Sequence, residues 1–508
     1  MHTCHSQYRS RMLLPLSVEN RRRCAGWLLF ATFAVLCCGE AVNTGLSHGD
    51  DAQMALVSQS LARGNGYALS AGRGDRGEFE PGISTGPTLI LPSAVVLKVA
   101  GSREPAPALT AITLWGGAIG FVWWRAQRKM TSYGFLLMIA VFVVFVVATF
   151  GYHFEQWYAF LGEVTAGALL IVAHWAAAAE DLERRRWIVM SGLCLGLAIE
   201  AKLIAAIGGV GIGLALALRP AKLRRWGFAG PLAWLGCLLA PILAFEVWKL
   251  AELGWTGYAA NSRNLLAWLH SQGLPENQIS AGELLRQRVA IAAEHFTFNS
   301  TLLAVAALVI ALMISRLGRP WKVMAASVCI SLAALAAYWC LFSSGSPRYL
   351  TIPLVLLCFL AALVAGCCRT VTERVVLLVV LCGAVGPGIM RSPAALRTAV
   401  DGLFRPGPER RARKEIVKGI RSLEAGGVTV FSGWWPAEWA AVQFDLGGVP
   451  QFQRADCMGG VPGRKAVAIN EAFALPYERD TIERILGKKL IPLVYAKPYE
   501  LFVIGDEP

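Results

Sequence analysis

The sequence predicts a mainly α, polytopic membrane helical bundle of about eleven spans, followed by a small C-terminal extracytoplasmic α/β domain. Three observations predict it. Hydrophobic residues make up 55% of the 508 residues and charged residues only 16%, whereas a soluble domain carries about 25% charge. The mean hydropathy is +0.50. The apolar residues fall into long runs up to Met390, after which the chain turns polar. Together these exclude a disordered chain, a collagen and a purely soluble enzyme.

A helix crosses the hydrocarbon core with roughly 20 apolar residues. In chain order the candidate spans are Ala25–Val42, Ala106–Trp124, Tyr133–Phe150, Ala159–Ala178, Trp187–Ala201, Leu203–Leu218, Trp226–Trp248, Leu302–Leu317, Val323–Phe342, Thr351–Cys367 and Val375–Met390. Trp187 to Arg219 would run about 50 Å as one helix at 1.5 Å per residue, too long for one crossing, so it is split at Lys202. Ile83–Ala100 contains Pro87, Pro92 and Lys98 and is read as a re-entrant or surface-lying segment.

Orientation follows from the basic residues. The formal net charge is +14, and short cytoplasmic loops of membrane proteins concentrate Lys and Arg. With the N-terminus inside and Ile83–Ala100 not crossing, the clusters at Arg21-Arg22-Arg23, Arg125/Arg128/Lys129, Arg184-Arg185-Arg186, Arg219/Lys222/Arg224/Arg225, Arg316/Arg319/Lys322 and Arg369/Arg374 all fall inside. The basic excess therefore calls for no nucleic acid. Most of the 13 cysteines lie in apolar runs as small hydrophobes, and none has zinc-site spacing.

This topology divides the chain into a membrane domain over residues 1–390, with a first outer loop at 43–105, and an outer domain over residues 391–508. Outside also lie the turn near Gly151–Glu155 and the loop Glu252–Asn299. In that loop, Asn264–Leu269 and Leu284–Ala293 carry apolar residues at helical spacing beside charge, as interfacial helices do. In the tail, Gly427–Phe431 and Ala466–Ile469 read as strands, and Asp480–Leu486 as a short helix with Asp480 at its N-cap. Leu490–Tyr495 and Tyr499–Ile504 read as a hairpin around Lys497-Pro498. The 17 tryptophans suit interfacial belts more than a sugar-stacking site, with Trp434, Trp435 and Trp439 in the tail as the alternative on which a glycan would stack.

The first outer loop holds the most chemistry. Gly49-Asp50-Asp51 opens a helix-like stretch to Leu61, followed by Ala62-Arg63-Gly64-Asn65-Gly66-Tyr67, Glu80-Pro81, and Thr85-Gly86-Pro87-Thr88 leading into the half-length apolar segment. Two roles fit the acid pair. Acids suit the first turn of a helix, where they cap orphan N–H groups, and a carboxylate at a membrane edge suits a general base. One acid can take each role.

This order of motifs resembles the GT-C glycosyltransferases of the protein O-mannosyltransferase and lipid A aminoarabinose transferase type. The resemblance continues at Leu161-Gly162-Glu163-Val164, at Leu195–Lys202 and at Ser346-Pro347-Arg348-Tyr349-Leu350. Two positions depart from the family. Its Asp-Glu pair is Asp50-Asp51 here, and its Lys-Pro-Pro-Leu is Thr85-Gly86-Pro87-Thr88, which lacks the lysine.

The resemblance implies a multi-span enzyme of the plasma membrane, using a polyprenyl-phosphate-linked sugar donor on the extracytoplasmic face. It implies inverting transfer to a hydroxyl on a glycan, lipid or protein acceptor, with Asp50 or Asp51 as base and Glu163 orienting the acceptor or a metal, or else standing as an interface residue with an exposed carboxylate. Arg348, at the mouth of a span, has the planar fork that matches phosphate, with Tyr349 beside it. Lys202, at the hinge of two short spans, would face the same phosphate; headgroup snorkelling is the plainer role for Lys202, whereas for Arg348 positive-inside topology argues against an idle arginine on the outer face. Glu80, His153 and Glu155 are further acceptor-side candidates on outer turns. No ligand spacing marks a metal, and no metal or other cofactor is expected. Two other classes compete. A transporter or flippase of lipid-linked glycans would place ionisable groups at mid-membrane. An O-antigen ligase or polymerase would carry its large outer loop between late spans.

Overall fold

The computed structural model describes residues 17–46, 49–69, 79, 85–150, 155–178, 185–217, 229–271, 281–296, 313–314, 317–343, 345–368, 370–380, 383, 407–432, 439–447, 463–471 and 478–504. Among the described residues, the regular elements of the membrane part are all helical. Its elements are α1 (Val18–Thr44), α2 (Gly49–Ala62), α3 (Pro87–Ala100), α4 (Ala106–Ala126), α5 (Ser132–Phe150), α6 (Glu163–Ala178), α7 (Arg185–Ala201) and α8 (Ala205–Ala217). Then come α9 (Ala229–Ser271), α10 (Ala281–Phe296), α11 (Arg319–Phe342), a 3-10 turn (Pro347–Leu350) and α12 (Thr351–Cys367).

Among the described residues, 6 helices are long and apolar enough to cross a membrane: Val18–Thr44, Ala106–Ala126, Ser132–Phe150, Ala229–Ala267, Trp321–Phe342 and Pro347–Cys367. The expected span Leu302–Leu317 lies almost wholly outside the described residues, as does Val375–Met390 beyond residue 380. α3 is a helix of 14 residues. At 1.5 Å per residue it is about 21 Å long, short of the hydrocarbon core, and it lies against α2, α4 and α7. The chain breaks between α7 and α8 at Lys202–Ile204, where the over-long run was expected to divide. α9 runs beyond the expected end of its span and kinks at Gly254, whose φ of 64° leaves the helical region.

One apolar core unites these helices. α6 and α12 are its centre, with nearly every residue of both buried. Trp115, Phe33, Phe142 and Phe150 all meet Trp157 edge to face, with Trp115–Trp157 ring centroids 5.2 Å apart. Such quadrupole-matched rings fill volume that aliphatic side chains would leave open. α6 also carries a fully buried His174, whose Nδ1 lies 2.6 Å from Ser327 Oγ on α11, and Ser327 Oγ donates to the Gly211 carbonyl of α8 at 2.8 Å.

The C-terminal part is an α/β unit: α13 (Pro408–Ala425), β1 (Thr429–Ser432), α14 (Ala440–Leu446), β2 (Lys465–Asn470), α15 (Glu478–Leu486), β3 (Leu490–Ala496) and β4 (Tyr499–Ile504). The sheet order is β1-β2-β4-β3, with β1 parallel to β2 and the other pairs antiparallel. α13 covers one face through Ala412, Ile416 and Ile420, and α15 covers the other through Ile482. Pro492 sits on the edge strand, where its missing N–H is tolerated.

Both expected strands and the hairpin form. Two readings of this region are corrected. α15 begins at Glu478, so Asp480 lies inside its first turn and is not the N-cap. Trp439 is buried against Tyr499 in the core, 1% exposed, so its ring is closed to a glycan. Trp434 and Trp435 lie outside the described residues, as does the proposed boundary between residues 390 and 391.

Candidate functional site

Three sequence segments meet at one end of the bundle. Thr85 Oγ1 donates to the Leu161 carbonyl at 2.8 Å, and Thr88 Oγ1 donates to the Leu197 carbonyl at 2.9 Å. Gly86 lies so close to α7 that a Cβ there would sit 2.0 Å from the Glu200 carbonyl oxygen. Gly162, at φ 84°, turns the chain into α6 beside Thr85 and the Ala201 carbonyl. A side chain would strain that turn, so glycine is required. The Thr-Gly-Pro-Thr, Leu-Gly-Glu and Glu-Ala-Lys motifs therefore build one floor, although they are far apart in the chain.

On that floor stand four charges from four elements. Glu163 opens α6 and is 1% exposed. Its Oε1 receives Lys202 Nζ at 3.0 Å, from the break between α7 and α8, and Arg348 Nε at 2.6 Å, from the 3-10 turn. Lys202 Nζ also donates to the Leu161 carbonyl at 3.4 Å. Arg348 Nη1 pairs with Asp50 Oδ2 in the first turn of α2. Two buried polar atoms of this group have no partner among the described residues: Glu163 Oε2 and Arg348 Nη2.

The local chemistry explains why these residues hold their places. Pro347 at the first helical position and Thr351 at the head of α12 fix the turn that presents Arg348. Trp339 Nε1 donates to the Ser346 carbonyl at 2.9 Å and ties the same turn to α11. Asp50 sits where an α-helix leaves its N–H groups unpaired, and the carboxylate is 52% exposed while the guanidinium is 22% exposed. The group thus has a closed side, formed by Glu163 and Lys202, and an open side, formed by Asp50 and Arg348.

Of the other expected residues, Tyr349 stays beside this quartet and Asp51 does not. Asp51 is 1% exposed. It lies near the Tyr158 phenol together with Glu40 and Glu155, away from the open side. Tyr349 packs partly buried against the helical core next to Arg348, near Glu163 and Asp50. Glu80 and His153 lie outside the described residues. No group of three or more His, Cys, Asp or Glu able to hold a metal occurs among the described residues.

Sequence reasoning missed a second charged cluster at the base of α2. Arg413 is fully buried and pairs with Glu104, and Asp445 lies 3.3 Å from its Nε. Arg103-Glu104-Pro105 and the basic face of α13 have no motif character, so nothing in the one-dimensional pattern marks them.

No family model matches the chain, and neither does any curated protein sequence. Solved structures do share its fold. The crystal structure of ArnT from Cupriavidus metallidurans in the apo state superposes with a TM-score of 0.60 at 14% identity, over 94% of this chain and 98% of that one. The structure of ArnT from Cupriavidus metallidurans bound to undecaprenyl phosphate gives a TM-score of 0.59 at the same identity and coverage. At the level of fold this bears out the GT-C resemblance that the order of motifs implies.

Proposed function

We propose that this chain is an integral membrane glycosyltransferase that moves a sugar from a polyprenyl-phosphate donor to a hydroxyl acceptor on the extracytoplasmic face. The observation that carries the reading is Arg348. It joins Asp50 to Glu163 and still holds a buried Nη2 with no partner among the described residues. A guanidinium bridging two carboxylates, with a spare donor, suits an anion that arrives with the substrate. The fold likeness to a protein seen with undecaprenyl phosphate supports a lipid-linked donor of that class.

Charge bookkeeping gives the mechanism. Asp50 and Glu163 carry two negative charges, and Arg348 and Lys202 carry two positive ones, so the resting quartet is neutral. In the reaction the acceptor oxygen bonds to the anomeric carbon, and the bond from that carbon to the phosphate oxygen breaks. Its electron pair leaves with the phosphate, and the acceptor proton goes to Asp50. The phosphate gains one negative charge as Asp50 loses one. Arg348 is released from its carboxylate at the moment the leaving group needs it. Charge placed ahead of time where it develops is the strongest form of electrostatic catalysis. Glu163 keeps Lys202 and Arg348 aimed at the phosphate, and Asp51, turned inward, secures α2 behind the base.

The direct test is mass spectrometry of glycolipids and glycoproteins from cells with and without the chain. A species gaining the mass of one sugar only when the chain is present, and lost with Arg348→Ala at normal expression, supports the reading. Identical spectra in both backgrounds reject it.

A further inference from the structure

The segment that delivers Asp50 is held by the C-terminal domain. α1 ends at Thr44, and Gly45 at φ 65° turns the chain toward α2. Arg413 of α13 donates to the Leu46 carbonyl at 2.6 Å and to the Thr44 carbonyl at 3.3 Å. Glu104, at the head of α4, accepts from the Leu46 N–H at 3.2 Å and pairs with both Arg413 and Arg410. Arg410 donates to the Val42 carbonyl as well. Asp445 at the end of α14 closes the cluster on Arg413.

A second contact reaches α2 itself. Gln59 Nε2 donates to the Phe444 carbonyl at 3.0 Å, and Ala440, Ala441 and Phe444 of α14 are part of the same apolar core as the membrane helices. α2 is therefore fixed at both ends by residues that lie far along the chain.

We infer that Arg413 is a positioning residue, through which the C-terminal domain sets the approach of Asp50 to Arg348. The inference rests on the proposed role of Asp50. The physical reason is the shape of the contact. A guanidinium offers donors in a rigid fork, so one side chain spans two carbonyls at the end of α1 and two carboxylates. A buried cation so placed has no low-energy alternative, because any shift leaves a charge unpaired in a dry site. A lysine would keep the charge and lose the fork.

The experiment is hydrogen–deuterium exchange on the full chain in lipid nanodiscs, comparing wild type with Arg413→Lys, alongside undecaprenyl phosphate binding. The expected result is exchange at least tenfold faster across residues 45–54, unchanged exchange in α6 and α12, and affinity for undecaprenyl phosphate no weaker than that of wild type, because Asp50 then holds Arg348 less firmly. Sugar transfer, read as the mass gain in cells, falls at least tenfold, so turnover is lost while donor-lipid binding is kept. Uniform loosening of the whole chain would reduce Arg413 to a general structural role and overturn the inference, as would unchanged exchange at residues 45–54. If Arg413→Lys does not fold, Arg410→Ala, which removes a more peripheral half of the same clamp, gives the same local signature in weaker form. Failure of the wild type to bind the lipid or transfer a sugar would instead reject the proposed function, because the exchange readout needs neither.

Discussion

Glu163 and Arg348 divide the labour of the site between a buried anchor and an exposed hand. One carboxylate oxygen of Glu163 holds two cations, which a lone buried carboxylate could not survive without. Under the proposed function, Asp50 competes with incoming phosphate for the same guanidinium. Asp50→Asn is therefore expected to lower sugar transfer by about 10²–10⁴-fold, the range of a lost general base. The same variant should bind undecaprenyl phosphate roughly tenfold more tightly, about 1.4 kcal/mol, because Arg348 is freed. Asp51→Asn, which removes a neighbouring charge not facing Arg348, should leave that affinity unchanged. Calorimetry on the three proteins separates these outcomes, and equal affinities would remove the competition from the mechanism. The sequence named all four charges because each stands in a motif. It left Asp50 and Asp51 equivalent, since adjacent residues on a helix diverge by about 100° and only the packing of α2 decides which one faces the floor.

At the scale of elements, short helices were legible where punctuation was strong. Pro87 and Pro347 mark helix starts, Lys202 marks a break, and alternating apolar residues mark the sheet. The helix end at Asp480 was misread because an acid in a first turn resembles an N-cap in one dimension. The closeness of α3 to α7 was not legible, because a glycine that admits a backbone neighbour looks like any other. Gly86→Ala should force those two elements apart and cost about 1–3 kcal/mol of stability, as overpacking does. Thermal unfolding in detergent measures it, and an unchanged midpoint would mean that the floor yields.

The C-terminal domain supplies a pH test. The Leu490 N–H donates to Glu483 Oε1 at 2.9 Å and holds that carboxyl below its usual range, with Lys489 and Arg479 adding to the effect. A depressed carboxyl stabilises the fold above its unfolded value near 4.3, and that stabilisation is lost as pH falls through the lower, folded value. Protection of the β3 and β4 amides, corrected for the intrinsic exchange rate at each pH, should therefore fall more steeply on acidification in wild type than in Glu483→Gln, which lacks the ionised partner at every pH. Parallel profiles would exclude this carboxyl as a source of the acid sensitivity.

Across the whole molecule, hydropathy revealed the membrane class and the polar tail, but not their union. The apolar core crosses from the membrane helices into α14, and the charges that join the parts are single residues without periodicity. If the quartet and the C-terminal domain share the outer face, maleimide should reach cysteines placed at Lys489 and at Arg63 from outside intact cells. A cysteine at Arg128, in a basic cluster, should react only after the membrane is opened. Labelling of Lys489 and Arg128 positions from one side would overturn the orientation.

The clamp of Arg413 on Leu46 also has a bearing on how the protein is made. Ribosomes deliver α2 early and α13 and α14 near the end, so the helix that carries Asp50 must wait through nearly all of translation for the groups that hold it. A nascent or truncated chain would sit in the bilayer with its spans in place and its carboxylate unaligned. Under the proposed function, premature chemistry on a half-built protein would thereby be avoided without any separate inhibitor.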